Sequence, residues 1–304
     1  MNSVKTTRNR IRQTTGDRTL TAVFYVVIAV YSLICLYPLV LAFSVAFSDE
    51  TAITTNGYSI IPQSPTLNTM RYLLSQRMNM MISAYGMSIL VTALGTLVSV
   101  TVTLMYAYVL SVPGFRHKNK FAFFAYFTML FSGGMLPWYI LTTKYYHLAN
   151  TVAGLILPYS MNVFNMFLMR NYLKTIPDAL YESAKIDGAG YGRTFFHVAL
   201  PLSQIGLVTI ALFYGLSYWN DFYLPLMLIT KDGLSTLQHL LYRMMSNITF
   251  LANNSSTSIG AHVQPPMQTA RMAMSVLAIG PIIFLYPFVQ KYFVKGISLG
   301  AIKG

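Results

Sequence analysis

The chain has 304 residues, of which 55% are hydrophobic and only 10% charged, with a mean hydropathy of +0.52. Soluble domains carry about 25% charged residues, so this balance excludes an ordinary globular fold and points into a membrane. The net charge of +13 comes without the basic–aromatic pattern of a nucleic-acid binder, and nucleic acid is not an expected partner.

Several apolar runs reach the roughly 20 residues needed to cross about 30 Å of hydrocarbon as a helix. In chain order they are Leu20 to Phe47, Met81 to Val112, Phe121 to Thr142, Thr151 to Met169, Leu202 to Ile229 and Ala270 to Phe293. Runs this continuous fit helices, because barrel strands would alternate in short segments. The predicted fold class is therefore all-α, a polytopic membrane protein of about six transmembrane helices, with residues 1–304 as a single domain. The first run exceeds the length of a secretory apolar region, so it reads as an uncleaved span behind a tail over residues 1–19. Cys35, the one cysteine, lies within it and reads as packing. Segments Ser48 to Met80 and Lys231 to Gln268 hold Pro, Asn, Ser and Gly and read as loops.

Charge sets the orientation. Of the 21 basic residues, 15 cluster before span one, between spans two and three, between four and five, and after six. The other six (Arg71, Arg77, Lys144, Lys231, Arg243 and Arg271) are spread over the opposite loops. Lys and Arg in excess mark the cytoplasmic side, so both termini and the segment over residues 170–200 are expected to face inward.

The motifs of a catalytic subunit are missing. No Gly-Lys dipeptide occurs, which rules out a phosphate-wrapping loop, and no His-Glu-x-x-His or Cys-x-x-Cys occurs either. The five histidines fall one per loop without metal-ligand spacing and read as solvated or interfacial. No catalytic residue and no metal ligand is expected.

Between spans four and five, Thr175-Ile176-Pro177-Asp178 has the form of a capping box and predicts a helix start. Leu180 and Ala184 make a short apolar face, and Gly188 ends the helix through a left-handed turn. A second short helix is expected from Tyr191 to Ala199, presenting Phe195 and Phe196, and Pro201 is expected in the first turn of span five. Read without any family, this is an amphipathic interfacial connector.

The same residues carry a resemblance. Glu182, Ser183, Ala184, Gly188, Val198, Leu200 and Pro201 resemble the EAA loop of importer-type ABC permeases, departing at Ser183 for Ala and Val198 for Ile. Phe131-Ser132-Gly133-Gly134-Met135-Leu136-Pro137-Trp138-Tyr139, Trp219-Asn220-Asp221-Phe222 and the tail from Lys291 to Gly304 are similar to the carbohydrate-importer subgroup, which extends the likeness over most of the chain. The resemblance implies a non-catalytic permease in a bacterial cell membrane that imports an oligosaccharide. It would pair with a second, non-identical permease, two cytoplasmic ATPase subunits that bind ATP and Mg, and an extracellular solute-binding protein. No cofactor would be bound by this chain. Glu182, Ser183, Ala184, Asp187, Gly188, Ala189, Leu200 and Pro201 would then couple to the ATPase.

Polar groups at membrane depth usually face a cavity or a partner helix. Asn162 and Asn165, three apart on span four, and Trp219, Asn220 and Asp221, midway along span five, are the candidate substrate-pathway residues, with helix–helix hydrogen bonding as the alternative. Trp138 and Tyr139 read as an interfacial aromatic belt, with contact to a sugar as the alternative. A permease for another solute, or a membrane enzyme acting on lipid-linked sugars, are the competing functions. The latter would need a second acid near Asp221, and none lies near it in sequence.

Overall fold

A computed structural model describes residues 15–75, 78–254, 267–280 and 283, among which the regular structure is helical with no strand. In chain order the helices are α1 (Thr15–Ala46), α2 (Glu50–Asn56), α3 (Asn68–Ser75), α4 (Met78–Ser111), α5 (Lys118–Leu130), α6 (Met135–Tyr145), α7 (Val152–Tyr159), α8 (Val163–Leu173), α9 (Asp178–Ile186), α10 (Tyr191–Leu202), α11 (Gln204–Asn220), α12 (Tyr223–Leu228), α13 (Leu237–Asn254) and α14 (267–280). Two compact units result, one of residues 1–71 and 266–276, the other of residues 72–265 and 277–304.

In the first unit α1 is apolar on all sides and exposed along its membrane-length window. It leads into a loop fastened by hydroxyls: Ser44 Oγ donates to the Ser59 carbonyl at 2.7 Å, and Ser48 Oγ accepts from the Gln63 N–H at 3.0 Å. The Glu50 carboxylate accepts from the N–H groups of Gln268 and Thr269 and from the Thr269 hydroxyl, at 2.7–2.9 Å. A carboxylate on the first N–H groups of a helix fills donors that have no intrahelical partner and suits the positive end of the helix dipole. Glu50 thereby fixes the start of α14.

In the second unit α4 is the central post, packed along α8 and α11. Met81, Ala84, Ser88, Val91, Gly95, Ser99 and Thr103 form its buried stripe, stepping three or four residues at a time as one helix face requires. The close approach to α11 depends on Gly95, where a Cβ would lie within 2.9 Å of the Tyr218 ring.

About six spans were expected, and among the described residues three of them are bent rather than continuous. Among the described residues, only α1 and α4 are long and apolar enough to cross a membrane uninterrupted. The third, fourth and fifth runs are bent helix pairs: α5–α6 by 110°, α7–α8 by 56° and α10–α11 by 80°. The breaks fall at Gly133-Gly134, at Ser160 to Asn162 with Pro158 just before, and at Ser203 with Pro201 just before. The sixth run is helical from 267 to 280; its remainder, Ile283 apart, lies outside the described residues. The segment after Lys231 was expected to be loop but contains α13, whose apolar residues Leu237, Leu240, Leu241 and Ile248 are buried. His239, expected to be solvated, is buried with them, its Nδ1 2.9 Å from Ser235 Oγ.

Candidate functional site

The segment between α8 and α11 folds as a compact knob. α9 begins at Asp178, with Pro177 at the N-cap position and no side-chain cap. The expected capping box does not form, because the Thr175 hydroxyl donates back to the Tyr172 carbonyl at 2.8 Å. The C-terminal end matches expectation. Gly188 has φ +75°, its N–H donates to the Lys185 carbonyl at 3.1 Å, and the Ala189 N–H donates to the Ala184 carbonyl at 2.9 Å. This is the paired-bond turn in which glycine avoids the strain of a left-handed residue. Glu182, Ser183, Lys185, Asp187 and Gly188 are exposed, and Ile186 at the tip is 86% exposed. A Cβ at Gly188 would meet nothing within 4 Å, so the restriction there is one of backbone conformation.

The inward face of α9 differs from the expected one. Tyr181 is buried and Ala184 half-buried, whereas Leu180 is 41% exposed. The Tyr181 hydroxyl has no hydrogen-bond partner among the described residues. Burial, with the nearby Tyr108 and Asp178, pushes its pKa up to about 12. Tyr108, near the end of α4, roots the knob: its hydroxyl donates to the Tyr191 carbonyl at 3.0 Å, and its ring meets Phe195 edge-on at 5.0 Å. Arg170 Nε lies 3.4 Å from the Leu110 carbonyl, a cation where the α4 dipole is negative.

α10 runs from Tyr191 to Leu202 through a π turn over Phe195–Ala199. Leu200 is half-buried, and Pro201 sits in the last turn of α10 rather than the first turn of the fifth span. The proline ring has no N–H and collides with the i−4 carbonyl, and the wide turn before it with the 80° bend at Ser203 accommodates that loss. Glu182, Ser183, Ala184, Asp187, Gly188 and Ala189 thus form one short element, with Leu200 and Pro201 on the next.

The candidate pathway residues are placed differently from their sequence reading. Asn162 is the N-cap of α8, its side chain accepting from the Asn165 N–H at 3.1 Å, so the two do not share a helix face. Asn165 is buried. Trp219 Nε1 donates to the Ala278 carbonyl at 3.1 Å, and Asn220 Nδ2 to the Leu216 carbonyl at 2.9 Å. Asp221 is not mid-helix but stands at the break between α11 and α12, where Oδ1 accepts from the Tyr223 N–H at 3.0 Å, the Leu224 N–H at 3.4 Å and the Tyr159 hydroxyl at 3.4 Å. These contacts hold helices in place.

Sequence reading passed over the residues that hold the broken fourth span. Tyr214 OH accepts from the Asn162 N–H at 2.8 Å and pairs with Thr103 Oγ1 at 2.6 Å. One turn on, Tyr218 OH donates to the Ile156 carbonyl at 2.9 Å and pairs with Ser99 Oγ at 2.8 Å. Hydroxyls recurring four apart in two otherwise apolar runs were the available signal.

Among the described residues no cluster of His, Cys, Asp and Glu is arranged to hold a metal. Residues 9–299 match the family described as the binding-protein-dependent transport system inner membrane component. The chain is 34% identical to the polygalacturonan/rhamnogalacturonan transport system permease protein YtcP of Bacillus subtilis, over 95% of this chain and 99% of that one. It is 35% identical to protein LplC of Bacillus subtilis over 89% and 90% of the two chains, and 28% identical to the arabinooligosaccharides transport system permease protein AraQ of Halalkalibacterium halodurans over 91% and 94%. Among solved structures, a chain of a bacterial ABC transporter involved in the import of the acidic polysaccharide alginate superposes with a TM-score of 0.75 at 29% identity, covering 93% of this chain and 99% of that one. The bent-helix bundle with its exposed α9 knob is thus that of a non-catalytic membrane permease, and the chain belongs to the binding-protein-dependent transport system inner membrane components.

Proposed function

We propose that this permease carries an oligosaccharide into the cytoplasm and that α9 with Gly188 is the element through which ATP hydrolysed on another subunit moves it. The carbohydrate reading is supported by two of the relatives, YtcP and AraQ, and by the alginate importer, each named for a sugar polymer or oligomer. Residues 1–304 act as one permease domain beside a second, non-identical permease. Two cytoplasmic ATPase subunits hold ATP and its magnesium, and an extracellular solute-binding protein delivers the sugar. The loop over residues 170–200 and both termini face the cytoplasm of a bacterial cell, in keeping with the clustering of Lys and Arg.

The observation that carries the coupling role is the exposed α9 turn at the motif positions, closed by a residue with φ +75°. A short rigid element transmits a push only while it stays seated in its partner. Glu182 and Asp187 project from it toward basic residues of the ATPase, and Leu200 and Pro201 continue the path to the 80° bend before α11. A non-glycine residue in the left-handed region costs about 1–2 kcal/mol, and valine adds a branched side chain on the exposed docking face. Gly188→Val is expected to insert and pair with the partner permease but to lose ATPase association, or the stimulation of ATP hydrolysis by loaded binding protein, together with uptake. Purified complex in lipid, assayed for uptake and ATP hydrolysis beside a pull-down of the ATPase, measures this. Wild-type transport with full coupling in Gly188→Val would falsify the assignment of the loop.

A further inference from the structure

The break between α5 and α6 forms an open cavity of about 660 Å³ on the surface of the chain, lined by Ser132, Gly133, Gly134, Met135, Pro137, Trp138, Leu141 and Tyr223. Residues 131–137 are all exposed. The turn is unwound and closed only locally, by the Gly134 N–H donating to Ser132 Oγ at 3.2 Å. Its depth follows from helix length. α5 holds 13 residues starting at the basic end Lys118, which is about 20 Å of rise. Measured from a cytoplasmic surface, that places the unwound segment within the roughly 30 Å of hydrocarbon. Non-helical backbone at that depth is tolerated only where protein buries it or where it lines a water-filled cavity, and here the described protein does not bury it.

The lining has the chemistry of a hydroxyl-rich ligand. Trp138 is half-buried, with its body against the core and its indole N–H without a hydrogen-bond partner among the described residues. The Tyr223 hydroxyl is likewise without one, and Tyr223 is placed by Asp221, which accepts from its backbone N–H. Gly133 and Gly134 keep the floor flat: a Cβ at either would meet no protein atom within 4 Å, so it would project into open space. Flat aromatic faces stack on the C–H surface of a pyranose or furanose ring while N–H and O–H donors meet its hydroxyls, and the volume is in the range of a ligand pocket.

We infer that the cavity at the α5–α6 break is a sugar-binding subsite of the transport pathway, with Trp138 as the stacking platform and Tyr223 as a hydrogen-bonding group. The inference rests on the carbohydrate reading above.

The test uses the full complex in proteoliposomes with its binding protein and a panel of short oligogalacturonides, alginate oligomers and arabino-oligosaccharides. Wild-type uptake of the panel decides the carbohydrate reading first and separately. In a Cys35→Ser background, Gly133→Cys is expected to react with water-soluble methanethiosulfonate ethylsulfonate and to be protected by the panel sugar that is taken up. Trp138→Ala is expected to raise the sugar concentration for half-maximal uptake about tenfold, with Trp138→Phe restoring most of it. Absence of labelling at Gly133→Cys overturns the aqueous cavity whatever the sugar. Labelling without protection by a transported sugar overturns the subsite alone. Loss of the partner permease on co-purification of Gly133→Cys assigns the cavity to a subunit interface and overturns it as well.

Discussion

At Asn150 the backbone is left-handed, with φ +55°, and nearly every polar atom is engaged with the end of α12. Its N–H donates to the Leu228 carbonyl at 2.8 Å, its Oδ1 accepts from the N–H groups of Thr230 and Lys231 at 2.7 and 3.0 Å, and its Nδ2 donates to Thr230 Oγ1 at 2.9 Å. Asparagine tolerates this conformation better than alanine, and its amide mimics a backbone group. Asn150→Ala loses the side-chain bonds and keeps the strain, and is expected to destabilise by about 3 kcal/mol. Asn150→Gly relieves the strain and should lose less, and Asn150→Asp, which keeps the acceptor, less again. Thermal unfolding of the detergent-purified protein gives the order, and an alanine variant as stable as wild type would refute the clasp. Gly188 was legible from its motif position because only glycine suits that turn. Asn150 was not, since its partners lie 80 residues away.

Between elements, the problem the chain solves is how to interrupt a span without stranding backbone groups in a medium that offers them no water. The α7–α8 break frees the Ile156 carbonyl and the Asn162 N–H, and two tyrosines on α11 meet them. Each tyrosine is in turn held by a hydroxyl on α4. Tyr218→Phe and Tyr214→Phe are each expected to lower stability by about 1–3 kcal/mol, the cost of an orphaned buried group. Ser99→Ala should cost less than Tyr218→Phe, because Tyr218 still reaches the Ile156 carbonyl without it. The comparison of unfolding midpoints decides: equal losses for Ser99→Ala and Tyr218→Phe would mean that the α4 contact, and not the freed carbonyl, carries the energy. Apolar runs were readable as spans because length and hydropathy are local properties. Their breaks were not, because Gly-Gly, Ser-x-Asn and Pro-x-Ser are tolerated in straight helices too, and what bends them is the partner waiting at the bend.

For the whole molecule, orientation rests on the division of 15 basic residues against six. With Cys35 replaced, single cysteines at Thr54 and Lys231 are expected to react with an impermeant thiol reagent added to intact cells, and those at Lys120 and Lys185 to react only after permeabilisation. Labelling of Lys185→Cys from outside would invert the topology and remove the coupling role of α9, since an ATPase is reached only from the cytoplasm.

The sequence by itself determined the class of molecule, the positions of its apolar runs and the glycine turn that closes α9, because these depend on composition and on the backbone freedom of single residues. Tertiary structure alone decided which runs stay whole, and it tied Trp219 to the Ala278 carbonyl and Asp221 to the Tyr159 hydroxyl, whereas Asn162 and Asn220 are engaged by bonds within four residues of themselves. It also placed the unwound Gly133-Gly134 segment against a cavity with Trp138 and Tyr223. A polar side chain in an apolar run states only that it needs a partner. Whether that partner is a backbone group at a bend or a passing ligand is settled by what the folded chain brings within hydrogen-bond reach.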